Sequence, residues 1–192
     1  MRLAIFGGTF DPIHKAHLEV ARRGADEFHL DQVLLVPSGR PPHKGSVTWA
    51  PYEHRVRMAE LASEGEPRFE VSRLEEGTTR SYSIDTIEKL KPRLGPADEL
   101  FFIIGADAFA ELRTWRRWED VAHAVTFLVV SRPGHRYDVP PGVRIERLDS
   151  LELPVSSSQI RAALAGGGRP KEVPECVLKY IIEHGLYGAG RA

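Results

Sequence analysis

Two histidines, His14 and His17, stand three residues apart behind the run Gly7-Gly8-Thr9-Phe10-Asp11-Pro12. Far downstream, Ser156-Ser157-Ser158-Gln159-Ile160-Arg161 gathers hydroxyls and a guanidinium within one helical turn and a half. The first group follows a short apolar run, Leu3 to Phe6, that reads as a buried parallel strand, and it leads into a helical apolar pattern at Leu18, Ala21, Ala25 and Phe28. Residues three apart share a helix face. Both imidazoles are therefore expected on the first turn of that helix, where backbone N–H groups without partners and the positive end of the dipole favour an anion. Ser156 and Gln159 have capping-box spacing, so the second group is another helix start of the same design. Phosphate suits both.

A metal site built from Asp11, His14 and His17, serving a hydrolase that would carry zinc or iron, is the competing chemistry. A helical zinc pair more often uses the i, i+4 spacing of His-Glu-x-x-His, which favours phosphate contact here. No Walker loop and no Gly-x-Gly-x-x-Gly follows a strand, so kinase and ordinary dehydrogenase chemistry lose their main support.

The elements that must position these groups alternate. Gln32 to Pro37 is a second buried strand, closed by Ser38-Gly39-Arg40-Pro41-Pro42-His43-Lys44-Gly45. That loop puts Arg40, His43 and Lys44 at the carboxyl end of a strand, the edge where open α/β sheets bind ligands, although a solvated basic loop accounts for them equally well. Tyr52 to Ala62 suits an amphipathic helix and Phe69 to Ser72 a short strand. Ser83 is placed as the N-cap of a helix patterned Ile84, Ile87 and Leu90, its free amides also able to receive a carboxylate. Leu100 to Gly105 is the most apolar run and should be the central strand, followed by Asp107 and by Thr114-Trp115-Arg116-Arg117-Trp118. Trp118 is assigned to the core; Trp115 is left open between packing and ring stacking. Thr126 to Ser131 is a further strand and Val143 to Leu148 an edge strand. Gly166-Gly167-Gly168 ends the Ser-rich helix and Pro174 opens the last one, with His184 at its carboxyl end.

Composition bounds the rest. The chain's 192 residues fit one α/β domain with a small helical appendage. Lys and Arg total 26 against 27 Asp and Glu, so no basic field argues for nucleic acid and any anion site must be local. The only cysteine, Cys176, rules out an internal disulfide and a cysteine zinc cluster, fits a reducing cytoplasm, and is expected as a small buried hydrophobe. No apolar run approaches the roughly 18 residues of a membrane span, and the four apolar residues after Arg2 are too few for a signal-peptide core.

With these residues assembled, the sequence resembles a known family. Gly7 to His17 is similar to the nucleotidyltransferase His-x-Gly-His signature with its Gly-Thr-Phe-Asp-Pro lead-in, and Ser156 to Arg161 is similar to the family's Ser-Ser-Thr-x-Ile-Arg motif. Pro41-Pro42-His43-Lys44, Ser81-Tyr82-Ser83, Ile103-Ile104-Gly105-Ala106-Asp107 and Thr114-Trp115 match, in order, the pattern of the bacterial nicotinate mononucleotide adenylyltransferases. The resemblance spans essentially the full length. It implies an α/β, Rossmann-like, doubly wound and mostly parallel sheet, with residues 1–192 as a single nucleotidyltransferase domain. About residues 155–192 would form a C-terminal helical part that carries the Ser-rich motif.

The implied activity is transfer of AMP from ATP to nicotinate mononucleotide, giving nicotinate adenine dinucleotide and pyrophosphate in NAD biosynthesis. By the same resemblance His14, His17 and Arg161 are the catalytic residues, His17 being nearest the reacting α-phosphate. Gly7, Gly8, Thr9, Phe10, Gly105, Asp107, Ser157 and Ser158 join them in binding ATP, and His43 and Lys44 approach the phosphates from a loop. Ser83, Trp115 and Arg116 bind nicotinate mononucleotide. Mg2+ would be held mainly by ATP oxygens and water. A neighbouring phosphate would hold either imidazole more protonated than its reference pKa of roughly 6.5. The implied partners are the two nucleotides in the cytoplasm, with no nucleic acid and no membrane; a homo-oligomer is compatible with all of this. Phosphopantetheine adenylyltransferase is a weaker relative, because it leaves Ser81-Tyr82-Ser83 and Thr114-Trp115 unexplained. A nucleotide-binding regulator without turnover is opposed by His14, His17 and Arg161. Four positions depart from the pattern: Ala16 for Gly, Ser158 for Thr, Ser83 for Thr, and Arg116 for an aromatic. Ser83 and Arg116 bear on nicotinate against nicotinamide.

Overall fold

The computed structural model describes residues 1–40, 48–78, 80–131, 134, 136–149 and 155–190. Six strands form one sheet: β1 (Arg2–Gly8), β2 (Gln32–Pro37), β3 (Phe69–Val71), β4 (Glu99–Gly105), β5 (Thr126–Ser131) and β6 (Ile145–Asp149). Their order is β3-β2-β1-β4-β5-β6 and every pair is parallel. Parallel strands need crossovers, and the crossovers cover both faces. Alternate residues of each strand accordingly enter different cores: Ala4, Val33, Leu35, Phe101 and Ile103 on one side, Leu3, Ile5, Leu34, Phe102 and Ile104 on the other.

The first core is closed by α1 (Lys15–Glu27), α2 (Tyr52–Ser63), α6 (Ser157–Ala165) and α7 (Glu175–Glu183), the second mainly by α3 (Ser83–Leu90), α4 (Ala106–Ala110) and α5 (Trp118–Ala124). Leu18, Ala21 and Ala25 of α1 are buried, as are Ile84, Ile87 and Leu90 of α3, so the helical periodicities read correctly. No helix among the described residues is long and apolar enough to cross a membrane. The chain leaves β1 toward β2 and returns toward β4, which makes the carboxyl ends of β1 and β4 the switch point of the sheet. A crevice opens there.

Three sequence expectations are corrected. Tyr82, in extended backbone at φ −111° and ψ 133°, is the residue that caps α3, and Ser83 is its first helical residue. The Asp85 and Thr86 N–H groups bond the Tyr82 carbonyl, so the helix starts one residue earlier than Ser83 capping would allow. Cys176 is exposed, because α7 buries the stripe Val177, Leu178 and Ile181, and its thiol lies 3.4 Å from the Leu61 carbonyl. Trp118 opens α5 half-buried at the margin of the second core, and is not enclosed by it.

Candidate active site

β1 runs on through Gly7 and Gly8, which pair with Val36 and Pro37 and do not form the turn that the sequence suggested; the turn that follows them is anchored from below. Phe10 and Ile13 are buried plugs, and Phe10 holds a left-handed backbone, φ +48°, that non-glycine residues seldom adopt. Its ring explains Gly8: a Cβ there would stand 3.0 Å from it. His14 is the extended N-cap of α1, and its N–H donates to His17 Nδ1 at 3.2 Å, while the His17 N–H returns to the His14 carbonyl at 3.0 Å. The two rings stack with centroids 3.7 Å apart and planes 25° from parallel, and Phe10 meets His17 edge-on at 5.1 Å. An Nδ1 that accepts leaves the proton of a neutral His17 on Nε2, so the cap fixes the tautomer.

Burial sets the charge of this pair. It pushes His14 down to about 4, with Glu172 opposing only in part, and holds His17 well below 6.5, the proximity of His14 adding to the fall. The protein alone thus keeps both imidazoles neutral at pH 7, and any phosphate-driven rise starts from there. His14 Nδ1 is buried with no hydrogen-bond partner among the described residues. One expected amide is occupied: the Lys15 N–H donates to the Glu172 carbonyl at 2.8 Å.

The Ser-rich helix meets this turn directly. Ser156 caps α6, accepting from the Gln159 N–H at 3.2 Å. Ser157 Oγ donates to the Pro12 carbonyl at 3.3 Å. Arg161 donates through Nη1 to the Asp11 carbonyl at 2.7 Å and through Nη2 to Ser158 Oγ at 3.1 Å, with its guanidinium 5.3 Å from the centre of the Trp49 ring. Two motifs at opposite ends of the sequence are therefore one constellation.

Sequence reasoning missed what holds it. The Asp11 carboxylate, 3% exposed, accepts from the Trp49 N–H at 2.6 Å, the Ala50 N–H at 3.1 Å and the Tyr187 hydroxyl at 2.6 Å. Three donors make it a structural hub, not a metal ligand in waiting. Arg55, 1% exposed, donates to the Ala50 carbonyl at 3.1 Å and the Thr9 carbonyl at 2.8 Å. Burial lowers the Arg55 pKa and Asp11 opposes that, so the charge is compensated inside.

On the other side of β1, a cavity of about 570 Å³ lies over the carboxyl ends of β1 and β4. Gly7, Gly8, Gly105, Ser83, Trp115 and Arg116 line it, so these predicted residues do converge. Thr9 and Asp107 are exposed and, like His14, His17, Ser157, Ser158 and Arg161, are not among its lining residues. A Cβ on Gly105 would meet nothing within 4 Å, which leaves that wall open to a ligand. Trp115 is half-buried with its edge toward Phe102, 5.9 Å between centroids, and Arg116 lies over Tyr82 at 5.0 Å and 3.8 Å from Asp85. Glu75, also lining, is buried and accepts from Thr86 Oγ1 at 2.8 Å and the Gly39 N–H at 3.3 Å.

The cytidylyltransferase-like family pattern matches residues 5–163, which contain both motifs. A protein of Solibacter usitatus named "Probable nicotinate-nucleotide adenylyltransferase" is 64% identical over 187 residues, covering 97% of this chain and all of its own. The chain belongs to the nicotinate-nucleotide adenylyltransferase family. A relative of the same name from Thermus thermophilus is 44% identical over 189 residues, again covering 97% of this chain and 100% of that one. Among solved structures, the Plasmodium falciparum nicotinic acid mononucleotide adenylyltransferase complexed with NaAD superposes with a TM-score of 0.76 at 18% identity, covering 97% of each chain. That likeness establishes the shared α/β fold. Of the departures from the adenylyltransferase pattern, Ala16 is half-buried in the first turn of α1 and Ser158 keeps a hydroxyl on Arg161. His43 and Lys44 lie outside the described residues.

Proposed function

We propose that this adenylyltransferase joins the two nucleotides across the β1 carboxyl end, with the triphosphate on the histidine side and nicotinate mononucleotide in the cavity. The reaction makes nicotinate adenine dinucleotide and pyrophosphate, the step before NAD. A phosphate oxygen of nicotinate mononucleotide attacks the α-phosphorus of ATP, a new P–O bond forms, and the bond to the bridging oxygen of pyrophosphate breaks. The nucleophile is already an anion, its second pKa about 6, so no strong base is needed. Alignment and relief of crowded negative charge carry the rate.

His17, fixed with Nε2–H available, donates to the α-phosphate, and the stacked His14 lies beside it. Arg161 with Ser157 and Ser158 grips the β and γ phosphates, and His43 and Lys44, which lie outside the described residues, are assigned to the same phosphates by their match to the family pattern. Gly7, Gly8, Thr9 and Phe10 shape the turn under the nucleotide, while Gly105 and Asp107 flank the adenosine. Ser83 and Arg116 receive the nicotinate carboxylate, and Trp115 stacks on the pyridine ring. The volume of about 570 Å³ supports this assignment, since small-molecule sites run from roughly 300 to 1,000 Å³. The single observation that carries the reading is the His14–His17 stack tied through Asp11 and Pro12 to Arg161 and Ser157. The Asp11 carboxylate already accepts from three donors, so Mg2+ accompanying ATP would be held mainly by phosphate and water oxygens and would help to neutralise the phosphate charge. We assign the enzyme to the cytoplasm and read the chain as one nucleotidyltransferase domain; the position of α6 beside the histidine turn supports a C-terminal part, from about residue 155, that carries the Ser-rich motif.

Purified protein with Mg-ATP and either nicotinate or nicotinamide mononucleotide, followed by pyrophosphate release, tests this. Release with the nicotinate form should exceed the amide by about tenfold or more, a gap of about 1.4 kcal/mol. Equal rates would refute the carboxylate assignment to Ser83 and Arg116.

A further inference from the structure

Tyr187 sits in the last described turn of the chain, Leu186–Gly188, yet its hydroxyl lies 2.6 Å from Oδ1 of Asp11, 176 residues away. Its backbone is left-handed, φ 57° and ψ 21°, between Gly185 at φ +59° and Gly188 at φ +77°. An aromatic residue adopts that conformation only where its surroundings over-determine it. Burial and the Asp11 charge drive the Tyr187 pKa upward, so the hydroxyl keeps its proton and donates.

What Tyr187 holds is specific. Asp11 takes the tyrosine on its carboxylate and offers its backbone carbonyl to Arg161, and the next carbonyl, Pro12, takes Ser157. His14 follows two residues later. A shift of the Asp11 side chain therefore moves the acceptors that aim Arg161 and Ser157, and with them the start of α1. The cavity lining includes neither Tyr187 nor Asp11 nor Trp49. The hydroxyl is wired to one half of the site.

We propose that Tyr187 is a positioning residue for the triphosphate half of the site: its hydrogen bond to Asp11 sets the turn that presents Arg161 and the histidine pair. This rests on the assignment of the two nucleotides to opposite sides of β1. Tyr187→Phe removes one oxygen and keeps the ring. In the full chain, the KM for ATP should rise about fivefold or more, with the KM for nicotinate mononucleotide unchanged within twofold and kcat falling less than the ATP KM rises. A merely structural tyrosine would lower the active fraction, hence kcat, and leave both KM values alone.

Leu178→Ala is the control, since it removes buried packing from α7 and leaves the turn that carries Tyr187 intact. It should lower Tm and move neither KM. An ATP analogue with a methylene bridge between its α and β phosphates, titrated by calorimetry into wild type and Tyr187→Phe, separates the two readings. If wild type binds the analogue but, given ATP and nicotinate mononucleotide, releases no pyrophosphate from the ATP, the activity assignment fails while a fivefold weaker analogue affinity in the variant still supports the positioning role. Equal analogue affinity in both proteins, equal rises in both KM values, a matching ATP effect in Leu178→Ala, or recovery of Tyr187→Phe only as unfolded protein would each overturn it.

Discussion

The neutrality of the histidine pair has a thermodynamic consequence that can be measured with no substrate present. His14 is held at about 4, against 6.5 for an exposed imidazole, because burial disfavours its cation. Above pH 6.5 the ring is neutral in folded and unfolded protein alike, and it adds nothing to the pH dependence. As pH falls below 6.5, the unfolded chain binds a proton that the folded chain refuses, so stability declines. The decline ends near pH 4, where the folded form also protonates. The whole span is worth about 3 kcal/mol, and about 2 kcal/mol of it falls between pH 7 and pH 5. For a chain of this size that is a drop in Tm of about 4–8 °C.

Replacing His14 with Gln removes the titration and keeps a polar side chain. Tm measured by calorimetry from pH 7 to pH 5 should then fall by about 4–8 °C less in His14→Gln than in wild type, once their difference at pH 7 is subtracted. His17, also held below 6.5, acts in the same direction, so wild type loses at least this much. Parallel curves would refute the claim that the fold keeps His14 uncharged. On the proposed assignment of the triphosphate to this pair, the same linkage predicts that its binding takes up protons, because an adjacent anion favours the imidazolium that burial suppresses. Titrations in two buffers of different ionisation enthalpy read that uptake directly.

Two substitutions test the remaining architecture. His17→Ala removes the proposed α-phosphate donor and one cap acceptor; turnover should fall about a hundredfold, while Tm drops only about 2–4 °C, and an unfolded variant would make His17 a packing residue instead. Arg55→Met strips the buried cation from the Thr9 and Ala50 carbonyls and from Asp11, and should cost about 3–5 kcal/mol in urea denaturation at pH 7. A loss under about 1 kcal/mol would mean that water replaces the guanidinium there.

The sequence and the structure part company according to whether a signal is local. Helix starts are local: the strand, the turn and the first turn of α1 all lie within residues 2–18, and the cap of α6 within four residues, so both helix starts could be read from spacing alone. Burial is not local. The lowered starting point of His14 in the ligand-free chain could not be read from the sequence, because nothing near it in the chain announces that it will be buried. The rise expected beside a phosphate is a separate effect that would start from there. The links between the motifs are silent for a different reason, since Arg161 and Ser157 bond backbone carbonyls, which every residue carries. Arg55 looks like one more charge on an amphipathic helix until Ala50 and Thr9 fold over it, and Tyr187 sits among glycines beyond the last patterned helix, where no spacing points to Asp11. Ser83 misses by one residue because a serine at N1 and a serine at the cap have the same sequence signature, and only the Tyr82 carbonyl distinguishes them. Chemistry that depends on side-chain type is therefore legible in this chain, and chemistry that depends on who is buried beside whom is not. That division puts what spacing conceals in the hub around Asp11, where a single phenolic hydroxyl, 176 residues away, joins two backbone N–H groups on one buried carboxylate.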